Sequence, residues 1–225
     1  MSTKLNIGCG INVVQGNDWI NCDNSSLAKL RKTPLWIAIK WLINMGILPD
    51  IYRNYPNVKI VDIRSALPFA DNSIDFIYCS QVVEHLFLYD LTKFLRECKR
   101  VLKPNGVIRR LTPDLNKTIK LYLNSELDKF EANDGLKTQY AADHLNLIFY
   151  PRSWVFREKR SWLTRIMDAI PEHHKYIFDY ATLSSLLLDC GFKSANEVPT
   201  ETTAFPDADK LDKYQSISLE IEAIK

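Results

Sequence analysis

Short apolar runs alternate along the chain with stretches of helical spacing. Lys4 to Gly10 reads as a strand closed by a Gly-x-Gly turn, and Trp19 to Asp23 (WINCD) as a second strand that ends on an acid. Asn57 to Ile63 reads as a third, behind the turn residues Asn54-Tyr55-Pro56, and Ile74 to Ser80 as a fourth, behind Ala70-Asp71-Asn72-Ser73. From Tyr89 to Leu102, apolar residues fall at Leu91, Phe94, Leu95, Cys98, Val101 and Leu102, which is helical spacing. Pro104-Asn105-Gly106 ends that helix and turns into a fifth strand, Val107 to Thr112. A polar helix from about Asn116 to Phe130 follows, then a helix from Thr182 to Asp189 stopped at Gly191. Two closing strands, Lys193 to Val198 and Ile217 to Ala223, complete the pattern. Strands alternating with helices predict an α/β fold with a mostly parallel sheet, and the closing pair predicts an antiparallel edge.

Two segments interrupt this plan, at about 27–55 and 129–175. Both follow carboxyl ends of strands, where open α/β sheets place ligands, so they are expected to form a lid or acceptor-site cover on a single domain spanning the chain. In the first, Trp36, Ile37, Ile39, Trp41, Leu42, Ile43 and Leu48 are read as core-facing on a capping helix pair. Peripheral membrane contact, fed by Lys29, Arg31, Lys32 and Lys40, is the alternative. The second holds Arg152 to Trp162, where cations interleave with aromatics. It is read as an amphipathic lid helix in preference to a clamp for a phosphate, a nucleotide-linked sugar or single-stranded RNA.

Composition narrows the class. Of 225 residues, 46% are hydrophobic and 25% charged, ordinary for a globular protein able to bury a core. Lys and Arg number 29 against 27 Asp and Glu, too even a balance for a protein whose main partner is duplex nucleic acid. The five cysteines include no CxxC pair and predict buried free thiols in a reducing compartment. The amino terminus enters a strand at once, without the pattern of a secretory leader. The longest apolar stretch, Pro34 to Pro49, contains Lys40 and falls short of the roughly 20 residues that span a bilayer. A cytoplasmic location is the expectation.

Gly8-Cys9-Gly10 lets the backbone approach a ligand closely. The dinucleotide fingerprint would want Gly or Ala where Val13 stands, and its acid about 20 residues on, after a full helix. Here the second strand already ends at Asp23, so the helix between must be very short, which argues against a nicotinamide oxidoreductase. A carboxylate at Asp23 can accept hydrogen bonds from both hydroxyls of a ribose. Asp62 can accept from an adenine amino group, with Ile63 packing on the ring; the alternative for either Asp is a strand-end turn or helix cap.

The stretches LNIGCG, WINCD, LPFADNSIDFIYCSQVVEHL and FLRECKRVLKPNGVIRRLTPDL resemble the successive motifs of class I S-adenosylmethionine-dependent methyltransferases of the type 11 group. The later HHKYIFDYATLSSLLLDCGF resembles a segment of a bacterial subgroup found with polysaccharide-synthesis enzymes. The resemblance implies a Rossmann-like fold and S-adenosylmethionine as cofactor. Gly8, Cys9 and Gly10 would line its methionine part, Asp23 would hold the ribose, and Asp62 and Ile63 the adenine. Ser80 and Gln81 would sit beside the transferred methyl, with Glu84 and His85 close behind. The acceptor it implies is a small molecule or glycan, a sugar hydroxyl or amine. Methylation of RNA and a non-catalytic binding module are the rivals. Arg110 departs from the pattern, since an apolar strand residue is usual there and a charge in a central strand needs a partner.

Methyl transfer needs alignment and exclusion of water, plus a base when the acceptor is a hydroxyl. The chain holds four histidines. His85 follows the fourth strand, His144 stands beside Asp143, and His174 matches the subgroup motif; these are the candidate bases, with a structural role as the alternative for His85. Glu172-His173-His174 has no fourth ligand at a persuasive spacing, so no metal is predicted.

Overall fold

The computed structural model describes residues 2–47, 54–126, 141–149, 174–213 and 217–225. Seven strands form one sheet: β1 (Lys4–Ile7), β2 (Trp19–Asp23), β3 (Lys59–Ile60), β4 (Ile74–Ser80), β5 (Leu102–Pro113), β6 (Ser194–Glu197) and β7 (Ser218–Ile224). Their order is β3-β2-β1-β4-β5-β7-β6. β3, β2, β1, β4 and β5 pair in parallel, whereas β7 runs antiparallel to both β5 and β6. This is a Rossmann-like sheet with its switch point between β1 and β4. The closing pair is antiparallel, as its sequence predicts; β7 inserts between β5 and β6, so β6 forms the edge.

Among the described residues the α-helices are α1 (Ser26–Arg31), α2 (Trp36–Asn44), α3 (Leu88–Val101), α4 (Leu115–Leu123), α5 (Ala141–Phe149), α6 (Tyr180–Asp189) and α7 (Ala208–Leu211). Leu91, Phe94, Leu95, Cys98 and Val101 of α3 are all fully buried, as their spacing predicts. With Leu183 and Leu187 of α6 they close one face of the sheet. On the other face Trp19, Tyr78 and Leu111 pack under Phe205, Ala208 and Leu211, so the segment between β6 and β7 covers that face. All five cysteines are free and buried. No helix among the described residues is long and apolar enough to cross a membrane.

Three boundaries depart from the expectation. β3 is only two residues long, and α4 ends at Leu123. β5 starts at Leu102, directly after α3, because Leu102 already pairs with Ile74 before the register shifts. The interleaved segment Arg152–Trp162 and most of the second insertion lie outside the described residues.

β5 carries the two arginines on opposite faces. Arg109 reaches Glu222, its partner across the β5–β7 ladder, at 2.7 Å and the diagonal Glu220 at 2.8 Å. It also donates to Asp212 at 2.5 and 3.0 Å. Arg110 points to the opposite face, fully buried, and none of its guanidinium nitrogens has a hydrogen-bond partner among the described residues. Its electrostatic surroundings are Cys79, Cys98, Cys190 and Glu84, and burial lowers its pKa.

Candidate functional site

No helix forms between β1 and β2. The connection from Gly8 to Asp18 is irregular, held by two buried or half-buried asparagines. The Asn21 amide both accepts from and donates to the backbone of Val14, at 2.9 Å each way. Asn6 donates to Asn21 Oδ1 at 3.0 Å and to the Asn12 carbonyl at 2.9 Å. These side chains replace the hydrogen bonds a helix would supply. They were not singled out from sequence, although an Asn inside each of two apolar strands is the signal that marks them.

The turn leaving β1 needs its glycines for two different reasons. Gly8 has φ of +69°, and a Cβ there would lie 2.2 Å from a Val82 methyl carbon. Gly10 has φ of +52°, but a Cβ there would meet nothing within 4 Å. The space beside Gly10 belongs to a cavity of about 580 Å³ at the switch point. Its wall includes Gly8, Cys9, Gly10, Ser80, Gln81 and Asp207. Five of the sequence candidates therefore converge on one cavity, and Asp207 and the nearby Lys210 join them from the segment before β7. Gln81 has φ of +53°, a strained value for a non-glycine residue, at the carboxyl end of β4. Its amide nitrogen bonds the Leu111 carbonyl at 2.9 Å and its side chain donates to Ser218 at 3.0 Å.

The two acids expected from sequence, Asp23 and Asp62, lie outside that cavity wall. Asp23 accepts from the amides of Asn24 and Ser25 at 2.7 and 3.3 Å, and from the Ser25 hydroxyl at 2.8 Å. The Tyr55 hydroxyl, from the end of the first insertion, also donates to it at 2.5 Å. Burial and this bond to Asp23 push the Tyr55 phenol pKa up. Asp62 is bidentate to Arg64, with contacts of 2.9 and 2.8 Å, and that bond holds its pKa down at about 2. Ile63 packs against the main core. A bound ribose or adenine would share or exchange these partners.

Behind Gln81 a 3-10 turn, Val83–His85, carries Glu84 and His85. The Glu84 carbonyl accepts the amides of Lys175 and Tyr176 at 2.6 and 3.2 Å. Leu115 donates to the Phe178 carbonyl at 2.9 Å, which ties the same segment to the end of β5. His174 is thereby laid against His85, with ring centroids 4.8 Å apart at 63°. Its Nε2 lies 4.0 Å from Glu84 Oε1. Glu84 is fully buried; burial pushes its carboxyl pKa up to about 7, against the 3.3 Å bond from Thr112. One ligand atom from each of Glu84, His85 and His174 falls within 4.8 Å of the others, a spacing at which the three could hold a divalent ion. Further along the same segment, Asp179 caps α6 by accepting from the Thr182 amide at 2.8 Å. His144 lies on α5, with its side chain outside the described residues, and His173 also lies outside them.

Residues 50–109 match the family model described as a methyltransferase domain. A probable S-adenosylmethionine-dependent methyltransferase of Mycobacterium tuberculosis is 41% identical over 61 residues, which is 27% of this chain and 22% of that protein. One from Mycolicibacterium smegmatis is 44% identical over 61 residues, 27% of this chain and 23% of that protein. The chain thus spans less than a quarter of the length of these curated relatives. Among solved structures, an S-adenosylmethionine-dependent methyltransferase from Archaeoglobus fulgidus is similar at a TM-score of 0.48 and 16% identity, over 100% of this chain and 86% of that one. The matched segment, which carries β4, the 3-10 turn and α3, implies S-adenosylmethionine as the cofactor.

Proposed function

We propose that this chain transfers the methyl group of S-adenosylmethionine to a small acceptor, a sugar hydroxyl or amine in a glycan or its precursor. The observation that carries this reading is the contact of His174 with His85. It joins the segment that resembles polysaccharide-associated methyltransferases to the motif that borders the glycine-turn cavity.

The cofactor fits this cavity by the chemistry of its wall. The space beside Gly10 lets a ligand lie on the backbone, and Ser80 and Gln81 offer polar atoms at the switch point. When bound, the cofactor supplies a methyl carbon activated by positive sulfur. The protein aligns the acceptor in line with that carbon and keeps water out. For a hydroxyl acceptor, His174 or His85 would take the proton of that hydroxyl. Glu84, fully buried with Oε1 4.0 Å from His174 Nε2, would help balance the positive charge that develops.

Calorimetric titration with S-adenosylmethionine and S-adenosylhomocysteine tests the cofactor half of this reading. Binding in the micromolar range, about −8 kcal/mol, that is lost in Asp23→Ala is the expected result. Folded, ligand-free protein that binds neither would overturn it.

A further inference from the structure

We infer that the α1–α2 segment is a docking surface for an anionic lipid bilayer. Residues 24–47 contain no Asp or Glu and four cations, Lys29, Arg31, Lys32 and Lys40. Helix α2 is apolar on two faces. Trp36 and Ile43 are buried, and Ile39 packs beside Trp36 in a cluster with Cys9, Ala28, Tyr55 and Val58. Ile37, Trp41 and Met45, spaced four residues apart, form a second stripe that faces outward, with exposures of 75%, 60% and 54%. Leu35 and Ile47, beyond the two ends of the helix, are exposed as well.

So large an outward apolar surface on one helix marks an interaction site. The sign of its charges selects the partner. Lys29, Lys32 and Lys40 of the same segment are exposed, and cations flanking Trp, Ile and Leu are the signature of a helix lying in a bilayer surface. A second copy of the chain fits poorly, because a two-fold contact would set these cations against one another with no carboxylate in the segment to answer them. Docking would also reach the site. Ser25, which caps α1, and Tyr55, which packs edge-on at 6.4 Å from Trp36, both bond Asp23.

Co-sedimentation with vesicles tests this, using phosphatidylcholine alone against equal parts phosphatidylcholine and phosphatidylglycerol. The wild type is expected to pellet with the anionic vesicles and to be released by high salt. Ile37→Ser with Trp41→Ser, and separately Lys29→Glu with Lys32→Glu and Lys40→Glu, should each weaken binding about tenfold or more, with melting temperature retained. The inference is overturned if folded wild type stays in the supernatant with anionic vesicles. It is equally overturned if both sets of variants bind as wild type does, or if the surface proves to be a concentration-dependent dimer contact without vesicle binding. None of these readouts depends on methyl transfer.

Discussion

The imidazoles of His85 and His174 stand edge to face with centroids 4.8 Å apart, brought together from distant parts of the chain. Each backbone is pinned through Glu84, whose carbonyl takes the Lys175 and Tyr176 amides. If one ring is the base, His85→Ala or His174→Ala should lower turnover on a hydroxyl acceptor by about 10²- to 10⁴-fold while cofactor affinity stays near wild type. Release of S-adenosylhomocysteine with nucleotide-sugar acceptors, set beside calorimetry, reads both. Undiminished turnover in both variants would remove histidine base catalysis here.

Glu84 should leave a mark on stability against pH. Its folded pKa is raised to about 7, above its ordinary value of 4.5, so between those values the folded state holds a proton the unfolded state has lost. The sign follows: stability falls as pH rises through this window and levels off above it. The total loss is up to about 3 kcal/mol. Urea unfolding of the wild type at pH 5 and 8 should show that loss, and Glu84→Gln should flatten it. A wild type equally stable at both values would contradict the assignment.

The neighbouring arginines of β5 predict opposite responses to the same substitution. Arg109→Met leaves Asp212 and Glu220 buried without their cation and should cost about 3–5 kcal/mol. Arg110→Met removes a fully buried guanidinium with no hydrogen-bond partner among the described residues and should be neutral or stabilising. Denaturant midpoints of the two variants, measured side by side, decide the matter.

The two glycines of the first turn should also separate. Gly8→Ala drives a Cβ into Val82 and should lower the melting temperature. Gly10→Ala meets no protein atom, so its stability loss should be limited to the roughly 1 kcal/mol of a left-handed alanine. Its main effect should be on cofactor affinity, because the new methyl occupies the cavity. Equal cofactor affinity in Gly10→Ala and wild type would argue against the cavity as the methionine subsite.

Much of the fold was legible because periodicity reports burial directly. The α3 stripe and the β2 and β4 strands appear where the spacing puts them, and Asn105 takes the positive φ its turn requires. β3 was overestimated because apolar alternation in Asn57 to Ile63 outlasts its pairing, which covers only Cys22–Lys59 and Asp23–Ile60. The alternation of β7 shows that Glu220 and Glu222 share a face. That this face closes over Arg109 depends on Thr200 and Asp212, which no period connects to it.

The sequence by itself determined the α/β class, the glycine turn at the end of β1 and the acid at the end of β2, because these rest on local backbone geometry and on residue spacing within single elements. Tertiary structure alone decided that β7 enters the sheet beside β5 and that His174 meets His85. It also decided that α2 turns one apolar face inward and leaves the other to solvent. These outcomes depend on which surfaces meet when distant segments pack. A pattern of apolar residues states that a face seeks burial without naming the surface that will cover it.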